Sequence, residues 1–149
     1  MRNFLLILIT ILFLSCMVIA EAKGQTQDEI ENSIVRLSRR HNMDPALMLA
    51  IAKTESKLNP KAVGSKGELG VFQLRPEFHK FNANSIDSQV NVAIVYLSTI
   101  RRKWEPVYGN AWFISFNLGP NYRRINHPSL FPYYKRVMAS KLERQIANN

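Results

Sequence analysis

Residues 44–60 read Asp44-Pro45-Ala46-Leu47-Met48-Leu49-Ala50-Ile51-Ala52-Lys53-Thr54-Glu55-Ser56-Lys57-Leu58-Asn59-Pro60, a helix with both of its ends written into it. Asp44 has the side chain to cap first-turn amides, and Pro45 suits the first helical position because the N–H it lacks would have no intrahelical partner there. The helix runs toward Lys57 and Asn59-Pro60 stops it, since proline disfavours helical backbone in the residue before it. Leu47, Ile51, Glu55 and Leu58 recur at intervals of three and four, so they share one stripe. A carboxylate in line with apolar side chains is the first candidate for proton transfer, because an acid that cannot hydrate freely holds its proton toward neutral pH. The competing reading is structural: an acid at the edge of the stripe, paired with Lys53 or an arginine.

Outward from this segment the pattern stays helical. Thr26-Gln27-Asp28-Glu29 has capping-box spacing, and Ile30, Ile34, Leu37 and His41 mark one face of a helix ending near His41. Residues 59–86 hold Gly64, Gly67, Gly70, Pro60 and Pro76, a turn-rich stretch in which Val71-Phe72-Gln73-Leu74 is too short to assign as strand or helical turn. A third helix starts between Ser85 and Asp87 and repeats Val90, Ile94, Leu97, then Ile100 or Arg101, and Trp104. A fourth is predicted from Asn110 to about Leu118, stopped by Gly119-Pro120. A last helix, near Leu130 to Ile146, presents Tyr134, Val137, Met138, Lys141, Leu142 and Gln145 along one side. No internal repeat or inter-domain linker interrupts the series, so residues 23–149 read as one domain.

The N-terminus bounds the compartment. Arg2 precedes an apolar run from Phe4 to Ala20, and Ala20-Glu21-Ala22 offers a small-x-small cleavage site, so residues 1–22 read as a secretory signal and the mature chain is expected in the periplasm or cell envelope. An uncleaved anchor is the alternative, and no other segment reads as a membrane span. Lipidation at Cys16 is disfavoured because Phe13-Leu14-Ser15 is a poor cleavage motif and the apolar run continues past the cysteine. Cys16 is the only cysteine, so the mature domain carries no disulfide framework. The formal net charge is +9, unchanged by removal of Arg2 and Glu21. That excess favours a polyanionic partner such as bacterial wall or an anionic membrane surface; export and the scatter of the basic residues argue against nucleic acid. His41, His79 and His127 are dispersed, without metal-ligand spacing, so neither a metal nor another cofactor is expected; His79, in the turn-rich region, could touch ligand but reads better as exposed surface.

Four short motifs then fall in a recognisable order. Ala50-Ile51-Ala52-Lys53-Thr54-Glu55-Ser56-Lys57-Leu58-Asn59-Pro60-Lys61-Ala62-Val63 resembles the catalytic glutamate-serine segment of the soluble lytic transglycosylase family, whose lysozyme-like domain is related to goose-type lysozyme. Gly67-Glu68-Leu69-Gly70-Val71-Phe72-Gln73-Leu74 is similar to its glycine-leucine-methionine-glutamine segment, with Val71 and Phe72 in place of the usual Leu and Met. Ser115-Phe116-Asn117-Leu118-Gly119-Pro120 resembles the alanine-tyrosine-asparagine-alanine-glycine segment, and Tyr133-Tyr134-Lys135-Arg136-Val137 the closing tyrosine motif. The resemblance runs from about Ile30 to Leu142.

What the resemblance implies is a mostly α, lysozyme-like transglycosylase domain, acting as a monomer on peptidoglycan glycan strands. Its cleft would lie between the Glu55 helix, the 64–77 loop and the 115–134 segment. Glu55 would be the catalytic acid and base. Ser56 would orient it or touch sugar, or else bond its own backbone. Gln73 and Asn117 would bind sugar hydroxyls or acetamide, with loop bracing and helix capping as their structural alternatives. Phe72 would wall the sugar or pack in the core, and Tyr133 would hydrogen-bond near Glu55 while Tyr134 packs inward. Gly67 and Gly70 would let the loop pass close to substrate, or simply supply its turns. The family chemistry cleaves the MurNAc-β-1,4-GlcNAc bond and closes a 1,6-anhydro ring, with no second carboxylate. Glu68 stands where the family often has a small residue, so hydrolysis with Glu68 as second acid is one alternative and a weakly active peptidoglycan-binding module another. Small exported relatives open the wall for secretion or conjugation machinery, a further role the resemblance brings with it.

Overall fold

The computed structural model describes residues 27–119 and 127–147. The expected export signal, Cys16, the Thr26 cap and Pro120 lie outside them. Five α-helices follow in chain order: α1 (27–40), α2 (Pro45–Ser56), α3 (Ile86–Tyr108), α4 (Ile114–Leu118) and α5 (Pro132–Ala147). Among the described residues there is no sheet, only isolated bridges between Val63 and Leu69 and between Leu69 and Leu74. None of these helices is long and apolar enough to cross a membrane.

α2 is the axis of the fold. The Asp44 carboxylate accepts from the Ala46 amide at 2.9 Å, with Pro45 first in the helix. Burial covers every residue from Leu47 to Ala52, more than one stripe's worth, because α2 is enclosed by Ile30, Ile34 and Leu37 of α1, Val90, Ile94 and Leu97 of α3, and Val137 of α5. A helix wrapped on all sides needs no polar face, and its sequence has almost none until Lys53. α2 ends at Ser56 with Lys57 as its cap, where the sequence reading ran it: Lys57 (φ 56°) and Leu58 (φ 61°) both take left-handed backbone ahead of Asn59-Pro60, and the Lys57 amide closes on the Lys53 carbonyl.

Two other boundaries do differ from the sequence reading. The segment expected as one helix over 110–118 is a 3₁₀ turn (Gly109–Ala111), a turn at Trp112-Phe113, and then the short α4. No side chain caps α4, and burial of the consecutive Trp112, Phe113 and Ile114 sets the winding. α5 begins at Pro132 because that proline holds Phe131 extended (ψ 137°), leaving Leu130 in a separate 3₁₀ turn. Its buried seam is Tyr133 and Val137; Leu142, expected on the packed side, is 57% exposed, and Gln145 is exposed as well. Helical spacing offers two adjacent stripes on α5, and contact with α2 chooses the one that also carries Lys141, bonded to Asp44 at 2.6 Å.

Candidate active site

Glu55 sits in the last turn of α2, directly after the buried run, so its backbone is fixed by core packing while its side chain reaches the edge of the core. Tyr133, in the first turn of α5, meets it there: the phenol donates to Glu55 Oε1 at 2.6 Å. The ring of Tyr133 is 4% exposed, packed against Phe113, with the Arg136 guanidinium 6.0 Å from its centroid. Tyr134 is half-buried and stacks on Phe113 with centroids 5.5 Å apart, so both tyrosines hold the start of α5 to the core.

Burial dominates the acidity of Glu55 and raises its pKa above the ordinary carboxylate value; the Tyr133 bond and the Arg136 charge pull it back, and the Glu68 carboxylate adds to the rise. Burial likewise pushes the Tyr133 phenol well above its usual value, helped by the neighbouring Glu55 carboxylate, so Tyr133 stays a donor. An acid that keeps its proton unusually late beside a donor that never releases one is suited to give a proton and later take one back.

The facing wall is the turn-rich segment, held by polar bonds. Gln89, buried on α3, accepts from the Val71 amide at 2.9 Å and donates to the carbonyls of Pro60 at 3.1 Å and Ala83 at 2.6 Å. Gly70 is at φ 76°, and a β-carbon there would run into the Gln89 amide, so this glycine is fixed by both its backbone and its neighbour. Ser56 Oγ donates to the Val71 carbonyl at 2.8 Å and accepts from the Asn59 amide at 3.1 Å, a clip between the end of α2 and the loop. Gln73 takes left-handed backbone (φ 50°) and donates from Nε2 to the carbonyls of Gly70 at 3.0 Å and Ala62 at 3.3 Å.

Between these walls lies a cleft of about 760 Å³ that takes in Glu55, Gly64, Lys66, Glu68, Gln73 and Asn117. Asn117 is exposed near the end of α4, whose last turn is closed by the Gly119 amide on the Ser115 carbonyl. The cleft extends beyond the boundaries expected from sequence, to Phe78, His79 and Tyr96, while Phe116 and Leu118 join Asn117 within the expected 115–134 segment. The 120–126 stretch of the expected wall lies outside the described residues.

The sequence-derived candidates thus separate. Glu55, Gln73 and Asn117 share the cleft, and Tyr133 reaches it through Glu55. Ser56 braces the loop. Phe72 is 1% exposed and belongs to the core, which corrects its reading as a sugar wall, and Gln73, although it lines the cleft, also braces the loop through Nε2. Gly67 (φ 80°) supplies a turn in open space, and the glycines that line the cleft are Gly64, where a β-carbon would crowd the Glu68 carboxylate and Gln73 Oε1, and Gly119. Sequence reasoning missed Gln89, whose signal is a polar residue in step with Ala93, Leu97 and Ile100 on a buried face. It also misjudged His79, which lines the cleft, packs on Tyr96 at 4.4 Å and has its pKa lowered by burial. Glu68 lines the cleft too, but its Oε2 accepts from the Lys66 amide at 2.9 Å, and backbone bonds, its own amide first, hold its pKa below the ordinary value.

A family model described as the transglycosylase SLT domain matches residues 32–121. Among solved structures, an inactive mutant of the lytic transglycosylase Slt from Pseudomonas aeruginosa shares the fold with a TM-score of 0.62 at 19% sequence identity, over 78% of this chain. The chain spans only 24% of the length of that protein. No curated protein matches it.

Proposed function

Since the chain belongs to the transglycosylase SLT domain family, we propose that it is an exported peptidoglycan lytic transglycosylase with Glu55 as its acid and base. The observation that carries this reading is the Tyr133-bonded, partly desolvated Glu55 opening into a cleft that also holds Gln73 and Asn117.

In this reading protonated Glu55 gives its proton to the oxygen linking C1 of N-acetylmuramic acid to C4 of N-acetylglucosamine, and the C1–O bond breaks with the electron pair leaving on that oxygen. Positive charge develops at C1. The C6 hydroxyl of the same muramoyl residue attacks C1, its proton passes to the Glu55 carboxylate, and the 1,6-anhydro ring closes with no water consumed. The acid is restored. Internal capture has the advantage of proximity, because the nucleophile is tethered to the reacting carbon. Tyr133 stabilises the carboxylate present between the two proton transfers, while Gln73, whose Nε2 is spent on the loop carbonyls, offers Oε1 as an acceptor and the exposed Asn117 amide offers both a donor and an acceptor to sugar hydroxyls and acetamide groups. Export to the envelope, by way of residues 1–22, brings the cleft to this substrate, and the +9 charge suits an anionic wall.

Glu68 supports a second reading, hydrolysis, because it places another carboxylate in the same cleft. Its lowered pKa keeps it ionised but makes it a weaker base, and two backbone amides already occupy it. Mass analysis of the first soluble products from purified sacculi decides between the two. Muropeptides ending in 1,6-anhydro-N-acetylmuramic acid, lighter by one water, are expected; predominantly reducing muramic acid ends would establish hydrolysis instead.

A further inference from the structure

The burial of Phe72 leaves the cleft without the apolar face expected from sequence, and a different aromatic side chain stands at its mouth. Phe78 lines the cleft and is 65% exposed. A single exposed phenylalanine is ordinary on any surface, but this one rests on a neighbour. The Arg75 guanidinium lies 4.8 Å from the centroid of its ring, and the amides of Phe78 and His79 both donate to the Arg75 carbonyl at 3.0 Å. Arg75 is itself held by Glu77. One ring face therefore rests against a cation while the ring as a whole stays largely exposed.

The neighbouring surface continues in kind. His79 packs on Tyr96, Tyr96 on Phe116 with centroids 6.0 Å apart, and all three line the cleft with Leu118, itself 39% exposed. Aromatic faces thus run from the mouth toward α4, while Gln73, Glu68 and Asn117 supply hydrogen-bonding groups within the same cleft. A pyranose has that dual character: its axial C–H groups make a flat apolar face, and its equatorial hydroxyls need planar polar partners at the rim.

From this arrangement we infer that Phe78, backed by Arg75, is a carbohydrate-stacking platform at the mouth of the cleft, binding a sugar ring of the glycan strand away from the bond that is cut. The inference rests on the glycan-cleaving reading for its choice of ligand, but it concerns binding and not proton transfer.

The test separates the two. Glycan strands released from sacculi by amidase are titrated calorimetrically into Glu55→Gln protein carrying Phe78, Phe78→Ala, Phe78→Leu or Phe78→Trp. Loss of a stacked ring is worth about tenfold in Kd, so Ala is expected to weaken binding about tenfold and Leu nearly as much, with Trp within about twofold of Phe. Far-UV circular dichroism confirms that each variant is folded; Phe78 is exposed, so its replacement leaves the core intact. Equal Kd for Phe and Ala overturns the platform, as does Leu binding as tightly as Phe, or failure of the Phe78 protein to bind strands at all. In the cleaving enzyme Phe78→Ala raises KM with kcat within about twofold. Should wild type bind strands with this Phe78 dependence yet release no cleaved product, the transglycosylase reading fails and the platform stands.

Discussion

The two walls of the cleft are built by opposite means. On one side, Glu55 is placed by apolar burial: six consecutive enclosed residues fix α2, and α5 docks on it to bring Tyr133 to the acid. On the other, residues 59–85 bury little apolar surface beyond Val71, Phe72 and Leu74, and their shape comes from side chains bonded to backbone, with Gln73, Gly67 and Gly70 at positive φ. Apolar burial is non-directional and tolerates small changes, whereas a polar brace depends on each partner being present. The acid therefore sits on the robust wall, with Gln73 and Glu68 facing it from the wall that depends on each brace.

The largest effect expected from this division is on chemistry alone. Glu55→Gln is expected to lower cleavage by about a thousandfold or more while the fold persists, because the amide keeps the shape but has no transferable proton. Its stability has a definite sign. The folded pKa of Glu55 is raised, so between the unfolded and folded values the native state keeps a proton that the unfolded chain gives up, and stability falls as pH rises through that window. Glu55→Gln removes the penalty. Its midpoint of thermal unfolding is expected at or above that of wild type at neutral pH, with the gap closing on acidification below the ordinary carboxylate range. A variant that unfolds earlier than wild type at neutral pH would mean that Glu55 is a structural ion-pair partner.

Next in size is Gln89→Leu, aimed at the braced wall. It strands the Val71 amide and the Pro60 and Ala83 carbonyls, for a cost of about 3 kcal/mol. Hydrogen exchange locates the damage: amides in 60–85 should exchange faster than in wild type, with α2 and α5 holding their protection relative to the global unfolding limit. Uniform loss across both walls would show that they are one cooperative unit.

The smallest of the three is Tyr133→Phe, which touches the joint between helices and acid. Removing the phenol leaves packing against Phe113 intact and takes away a bond that favours the Glu55 carboxylate. The Glu55 pKa should rise further, moving the alkaline limb of the pH–rate profile upward, and kcat should fall about tenfold. A limb that stays put would sever Tyr133 from the proton transfer.

How much was legible follows the same line. Asp44-Pro45 and the apolar run through Ala52 predicted α2 because capping and helical periodicity are local, and the resemblance of four ordered motifs pointed to Glu55, Gln73, Asn117 and Tyr133. Phe72 was ambiguous because an apolar residue beside a glycine serves a core or a ligand wall equally well until the backbone turn is known. Gln89 went unremarked since its partners are 6 to 29 residues away along the chain. Phe78 carried no motif at all.

Local sequence, then, settled where helices begin, which residues are apolar and which acid is out of place, because caps, prolines and periodicity act within a few bonds of themselves. Tertiary structure decided which stripe of α5 is buried, that Leu142 faces solvent while Tyr133 meets Glu55, and that Phe72 lies in the core while Phe78, which no motif marked, is exposed at the cleft. Those outcomes depend on which surfaces compete for the same core space. That competition is resolved only when distant segments of the chain are brought together.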